Sequence, residues 1–478
     1  MARGALRAQG TSPERVLAEL EQAAVDDVDW RHGRVLTGLY TPDATAYGLA
    51  VEAYTRFLAQ NALYVNFYPS LARLEHDIVR SVADLLRGDG AVVGNVTSGG
   101  TESILLAVKA ARDHARARRD VPGLPEIVLP VTAHPAFHKA AQYLGLRPVV
   151  IPVDPQGYRA DVAAFRAAIT PRTVLGVGSA PNFSHGTVDP IPEMAAVARE
   201  AGVLFHVDAC VGGLYLSVLR RLGEAVRDFD FAVPGVTSIS TDLHKYGYAP
   251  KNASVVLYRD RTLRRHALFV CTGTTEYAVI NPTAQSSRTG GPIAAAWALL
   301  RHLGEEGFAR IVRATHDATR RILRAVETIE GIAVLGDPEM CMFTLGSAEI
   351  NVFELDDEMR ERGWHMIPQF ACGGSPPNLH VSVSWSNLPQ VETFIADLRE
   401  VVAMLRARGP AIDRAAMAQA VAELVERPPE EALMALAALA GLEGTALPRR
   451  MARLNTLLDL LPATVRDEVL ATYANLVG

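Results

Sequence analysis

Between residues 91 and 259 the chain alternates short apolar runs with longer amphipathic stretches. The runs at 91–96, 127–131, 148–153, 173–178, 203–207, 236–240 and 254–259 predict strands, and the stretches at 101–118, 135–144, 160–168 and 192–201 predict helices. Apolar strands separated by helices belong to a mainly parallel sheet with helices on both faces. The expected fold class is therefore α/β. In such a sheet ligands bind outside the carboxyl ends of the strands.

Upstream, Ser12 and Pro13 cap and open a helical pattern through residue 24. A second pattern covers 43–60, and the stretch 70–87 places Leu71, Leu74, Ile78, Val79, Val82 and Leu85 at helical spacing. Downstream, a long helical region at 293–329 breaks near 304–307. Strands are expected at 332–335, 342–345, 350–353 and 379–383, with helices at 356–362 and 389–408, which makes a smaller α+β domain. Gly409 and Pro410 mark a boundary, after which four helical patterns are separated at 428–429, 441–444 and 462. The expected units are an N-terminal helical segment (1–69), a large α/β domain (70–290), a small α+β domain (291–409) and a helical tail (410–478).

The 478 residues are 49% hydrophobic and 21% charged, a globular composition that excludes disorder. Lys plus Arg is 47 against 53 Asp plus Glu, so the net charge of −6 offers no basic field to nucleic acid. Cys210, Cys271, Cys341 and Cys372 are too far apart in sequence for the close pairs of zinc or redox motifs, and are expected as reduced, mostly buried thiols. Arg3 and Arg7 near the N-terminus precede no apolar core of a signal peptide. The longest apolar stretch, 433–442, is half the ~20 residues that span a bilayer. A soluble cytoplasmic protein is expected, with export by a route lacking a signal peptide left open.

Only four basic residues are lysine: Lys109, Lys139, Lys245 and Lys251. Arginine serves everywhere else, so these four are candidates for chemistry that needs a side chain able to lose its proton. Lys245 follows a predicted strand and is flanked by His244, Tyr246 and hydroxyl residues. Such an amine in a partly dry cleft can capture an aldehyde, whereas on an open loop it is only a surface charge. Lys109 and Lys139 read as structural or solvated charges.

Three other segments sit at predicted strand ends. Ser98-Gly99-Gly100-Thr101 leads into a helix, where small residues and unpaired N–H groups can hold a phosphate, or form an ordinary turn capped by Ser98. His134 could stack on a planar ring or cap its helix. Asp208 ends an apolar strand, where a carboxylate stays ionised beside a protonated pyridine nitrogen or a metal. No histidine or acid cluster at ligand spacing supports a metal. Together the four segments are the parts that hold pyridoxal 5′-phosphate.

The segments TSGGTESILLAVKAAR, HPAFHKAAQYLGL, SAPNFSHGTVDPI, HVDACVGG and SISTDLHKYGYAPKNASVVLYRD resemble the group II pyridoxal-phosphate decarboxylase superfamily of fold type I, and within it most of all the sphingosine-1-phosphate lyases. The likeness spans roughly residues 30–400. It implies the fold type I transferase-like architecture with a seven-stranded sheet. It also implies Lys245 as the lysine that binds the cofactor aldehyde, Asp208 as partner of the pyridine nitrogen and His134 as the group stacked on the ring. Gly100 and Thr101 would hold the cofactor phosphate, with His244 beside it. The loop 286–291, including Ser287, resembles one that reaches the partner subunit's site, so a homodimer is implied.

Tyr40, Tyr64 and Lys251 resemble positions that hold a substrate phosphate. The chain departs from the lyase pattern at Tyr64, where histidine is usual, at His185, where tyrosine is common, and at Asn252, where glycine is usual. The implied reaction is cleavage of a phosphorylated long-chain amino alcohol between C2 and C3, to a long-chain aldehyde and phosphoethanolamine. The base could be Lys245, His134 or a tyrosine. The alternatives are an amino-acid decarboxylase of the same superfamily and a non-catalytic binding protein that kept the fold.

Overall fold

The computed structural model describes residues 9–275, 277–442 and 447–477. Arg3, Arg7 and part of the break at 441–444 lie outside the described residues. The main sheet consists of β1 (Val93–Thr97), β2 (Glu126–Pro130), β3 (Arg147–Ile151), β4 (Thr173–Ser179), β5 (Leu204–Asp208), β6 (Val236–Asp242) and β7 (Ser254–Tyr258). Their order is β1-β7-β6-β5-β4-β2-β3. β7 runs antiparallel to both neighbours, and every other pairing is parallel. β1 therefore runs in the same direction as β6, and the carboxyl ends of β1, β2, β4, β5 and β6 open on one edge. Every residue of β2, β4 and β7 is buried, as expected for strands covered on both faces.

Helices fill the predicted gaps. Ser12 accepts from the Arg15 amide to cap Pro13–Ala23, and Asp43 accepts from the Ala46 amide to cap Ala44–Arg56. The long helix Gly291–Val326 breaks at Gly304, whose φ of 52° and ψ of −166° lie outside helical space. Helix Gly212–Arg221, which the hydrophobic pattern did not reveal, packs all but its last two residues into the core.

A hairpin of β8 (Phe269–Cys271) and β9 (Val279–Asn281) projects with its apolar Phe269, Val270 and Ile280 exposed. The smaller sheet holds β10 (Ala333–Val334), β11 (Met342–Gly346), β12 (Ile367–Gln369) and β13 (Asn378–Ser382) in the order β10-β11-β13-β12, all antiparallel. The strand expected at 350–353 is not there. Asn351 instead accepts from the Phe353 amide at 2.9 Å and starts the helix Val352–Glu361. The cap outweighs the short apolar run that suggested a strand.

One contiguous core joins the main sheet, the long helix and the smaller sheet. The tail helices Arg414–Ala422, Pro429–Ala440, Ala452–Leu460 and Ala463–Val477 have their own core around Leu436, Leu457 and Leu461. Phe370 packs against both cores. Arg414 pairs with Asp459 within the tail, whereas Arg449 and Arg450 pair with Glu361 and Glu358 and so lie against the body of the protein. Of the four free cysteines, Cys210 and Cys341 are buried, Cys271 is half-buried and Cys372 is exposed, fewer buried than expected.

Candidate active site

A cavity of about 280 Å³ opens at the carboxyl ends of β1, β2, β4, β5 and β6. From β1 the chain passes through Ser98 and Gly99 into the helix Gly100–Arg118. The side chain that fixes this turn is Glu102, which accepts from the Ser98 amide at 2.6 Å, and Ser98 makes no cap. Beneath the turn, hydroxyls connect Thr97 to Ser103 at 2.7 Å and Ser103 to Ser254 at 2.8 Å, which ties the helix to β1 and β7. A Cβ on Gly100 would lie 2.8 Å from Cys210 Sγ and 2.9 Å from Asp242 Oδ2, so only glycine lets the helix start come this close. Gly100 and Thr101 line the cavity at the positive end of the helix, where backbone N–H groups lack helical partners.

His134 follows β2 and caps the helix that begins after it. Its Nδ1 accepts from the Ala136 amide at 3.2 Å, and its ring lines the cavity. Burial lowers its pKa, with Lys245 acting the same way against Asp208 and Asp242, so the ring is neutral at pH 7.

Asp208, at the end of β5, accepts from the Cys210 amide at 3.1 Å and from Ser240 Oγ at 3.4 Å. Two residues earlier on the same strand, buried His206 contacts Ser238 Oγ at 2.8 Å through Nδ1 and Ser240 Oγ at 3.1 Å through Nε2. Burial pushes His206 down to about 4. Ser240 has one proton, and with it directed at Asp208 the neutral imidazole donates from Nε2 and accepts at Nδ1.

At the end of β6, Lys245 Nζ lies 3.0 Å from Asp242 Oδ2, with His244 Nε2 3.5 Å from the same oxygen. Burial alone would lower the Lys245 amine, but Asp242 foremost, with Cys210, Tyr40 and Asp208, holds it above its ordinary value. Asp242 is itself held low by Lys245 and His244 in spite of burial.

The structure brings Lys245, His134, Asp208, Gly100, Thr101 and His244 together around one cavity. Lys251 and Tyr40 form a neighbouring pair that does not line it. Lys251 Nζ donates to the Gly38 carbonyl at 3.1 Å and sits 5.1 Å over the Tyr40 ring. Tyr64 lies elsewhere, on the surface, 5.5 Å from the Phe67 ring and 6.4 Å from Tyr277. Exposed Ser287 accepts from Asn61 Nδ2 at 3.0 Å, within one turn of Tyr64. Lys109 is tied to Asp113 and the His266 carbonyl, and Lys139 lies over Tyr143. Asp242 was missed, although a carboxylate three residues before the candidate lysine was visible. Ser179, Phe183 and Cys210 on the same wall carried no signal.

Residues 5–344 match the model of the pyridoxal-dependent decarboxylase conserved domain, and residues 399–476 match a C-terminal putative HTH domain of pyridoxal-dependent enzymes. The sphingosine-1-phosphate lyase of Arabidopsis thaliana is 38% identical over 404 residues, covering 83% of this chain and 73% of the relative. This chain belongs to the pyridoxal-dependent decarboxylase family, on its sphingosine-1-phosphate lyase branch. Among solved structures, the Burkholderia pseudomallei sphingosine-1-phosphate lyase is 38% identical, with a TM-score of 0.80 over 89% of this chain and 98% of that one. A family member of another kind, the probable L-aspartate decarboxylase of Pyrococcus abyssi, is 31% identical over 82% of this chain and 98% of the relative.

Proposed function

We infer that this chain is a pyridoxal-phosphate-dependent carbon–carbon lyase. It cleaves phosphorylated sphingoid bases, sphingosine-1-phosphate among them, between C2 and C3 to a long-chain aldehyde and phosphoethanolamine. The observation that carries this reading over amino-acid decarboxylation is the charge of the cavity wall. Nearly all of the chain's cations are arginine, yet among the described residues no arginine lines the catalytic cavity to offer the two-point contact that favours an amino-acid carboxylate. The cation nearest in role is Lys251, beside the cavity with Tyr40.

The residues present fit pyridoxal 5′-phosphate. Ser179 Oγ and Asp242 Oδ1 are buried on the cavity wall with no partner, and glycine at position 100 lets the helix start come against Cys210 and Asp242 on that wall. Gly100 and Thr101 would hold the phosphate, Asp208 would keep the pyridine nitrogen protonated, and His134 would cover one face of the ring. The cofactor supplies an electron sink for the pair released when C2–C3 breaks. The C3 hydroxyl must give up its proton as that bond breaks, and C2 must take one before phosphoethanolamine leaves. His134 is neutral and can accept a proton as it stands. The Lys245 ammonium can donate one, and it accepts only after leaving Asp242.

The working form proposed is a cytoplasmic homodimer. Among the described residues no helix is long and apolar enough to cross a membrane. Support for pairing comes from the exposed face that carries Tyr64, Phe67 and Ser287, which contribute nothing to their own cavity. The four-part division at 69, 290 and 409 belongs to the same proposal. The test is release of long-chain aldehyde from sphingosine-1-phosphate by the holoenzyme. Carbon dioxide from an amino acid, without that aldehyde, would make it a decarboxylase.

A further inference from the structure

Beside the catalytic cavity lies a smaller one of about 110 Å³. Two loops line both. His134 and Phe183 face the first, and their chain neighbours Thr132 and His185 face the second, which Asn378 closes from the smaller sheet. Thr132 Oγ1, His185 Nδ1 and Asn378 Oδ1 are all buried with no hydrogen-bond partner. Each of these residues is more than nine-tenths buried. An unpaired buried polar group is costly, so three around a single cavity point to a bound molecule that pairs with them.

The donor set defines the ligand. Asn378 Nδ2 donates to Ser375 Oγ at 3.2 Å and to the Pro376 carbonyl at 2.8 Å, which orients the amide and leaves Oδ1 only to accept. His185 stacks flat on Tyr158 with centroids 3.9 Å apart, and its Nε2 meets Ser375 Oγ at 3.0 Å. Burial pushes this imidazole down to about 4, so it carries no charge at neutral pH. Neither lysine nor arginine lines the cavity, which disfavours a phosphate or carboxylate. With the Ser375 proton directed at His185 Nε2, a neutral hydroxyl can donate to Asn378 Oδ1 and accept from His185 Nδ1–H and from Thr132 Oγ1, which matches all three atoms. Val131, Val153 and Phe370 supply apolar wall around them, as an alkyl chain bearing that hydroxyl requires.

The wall is anchored from the tail. Asp459 accepts from the Ala371 amide at 2.6 Å, and Arg466 lies 4.6 Å over the Phe370 ring. From there Cys372 and Ser375 close a turn through backbone bonds of 3.1 and 2.9 Å.

We propose, resting on the lyase reading above, that the second cavity is a subsite for a hydroxyl on the alkyl chain beyond the cleaved bond. It selects sphingoid-base phosphates that carry such a hydroxyl. The first cavity must hold the cofactor and the reacting carbons C2 and C3, so the alkyl chain leaves it from C4 onward, and Thr132 and His185 stand two residues along the chain from His134 and Phe183.

The experiment compares aldehyde release from sphinganine-1-phosphate and its 4-hydroxy derivative by wild-type holoenzyme and by Thr132→Val. Wild type is expected to favour the hydroxylated substrate in kcat/KM by about five- to tenfold, the worth of one good hydrogen bond. Thr132→Val is expected to lose most of that preference, with the loss falling mainly on the hydroxylated substrate. Because Thr132 Oγ1 has no protein partner, the variant should melt at the wild-type temperature or above it. Equal kcat/KM for the two substrates in wild type, or an equal loss on both in the variant, overturns the subsite. A lower melting temperature for Thr132→Val also overturns it, since the cavity would then hold structural water. Aldehyde from neither substrate overturns the lyase reading, and the subsite with it.

Discussion

Asp242 and Lys245 form a buried ion pair, Oδ2 to Nζ 3.0 Å, on the wall of the catalytic cavity. The pair keeps the amine protonated, yet only a neutral amine attacks an aldehyde. Asp242→Asn removes the main group that raises Lys245 and leaves the burial that lowers it. The rate at which apoenzyme captures pyridoxal phosphate, followed by absorbance against pH, should therefore reach its plateau at lower pH in Asp242→Asn than in wild type. An unmoved profile would mean that the carboxylate does not govern the amine.

Asp208→Asn tests the carboxylate at the end of β5. Cys210 and Ser240 hold it in place, and an amide there keeps the shape but loses the charge. The expected result is a drop in kcat of about 10²–10³-fold, the usual cost of one preorganised electrostatic group. The visible absorption of bound cofactor should persist, because Lys245 is untouched. Loss of that absorption would show that Asp208 serves binding instead.

Ser287 lies outside its own cavity, against Asn61. If it serves a second subunit, Lys245→Ala and a bulky Ser287→Trp each give inactive homodimers. Mixed after reversible dissociation, the two should regain activity, because one site of the heterodimer takes both wild-type residues. Absence of recovery in a mixture shown by mass spectrometry to contain heterodimers would rule out the shared site.

His185, His206 and His380 are each pushed by burial from 6.5 to about 4. Their folded pKa values lie below the unfolded value, so the stability they contribute is whole above pH 6.5 and is lost as pH falls toward 4. Each amounts to ~3 kcal/mol when fully lost. Asp189, raised by burial from 3.8 to about 6, acts in the opposite direction over most of that range but is outnumbered. The urea midpoint should fall between pH 7 and pH 5. Equal midpoints would contradict the neutral state assigned to these rings.

The catalytic cavity was legible because its parts stand at strand ends and one is a rare lysine in an arginine-rich chain. The seven main strands were legible for a similar reason, since runs such as Ile127-Val128-Leu129 are apolar on both faces. Asp242 needed geometry, because a carboxylate three residues before a lysine becomes an ion pair only once the end of β6 brings them together. Tyr64 resembled a phosphate ligand by position, yet its place on the surface depends on what covers that face. The helix at Val352 was hidden by the short apolar run around Asn351, since periodicity cannot assign so few residues. The β8–β9 hairpin has three-residue strands with exposed apolar side chains, a pattern without clear alternation.

Phe370 belongs to two cores at once, and the neighbouring Ala371 amide is satisfied by Asp459. An enzyme shortened at residue 409 would leave that ring half bare to water and that amide empty-handed, in the wall of the smaller cavity. The last 69 residues are thus less an appendage than a buttress, and whatever loosens them from a distance would be felt in the wall of that cavity.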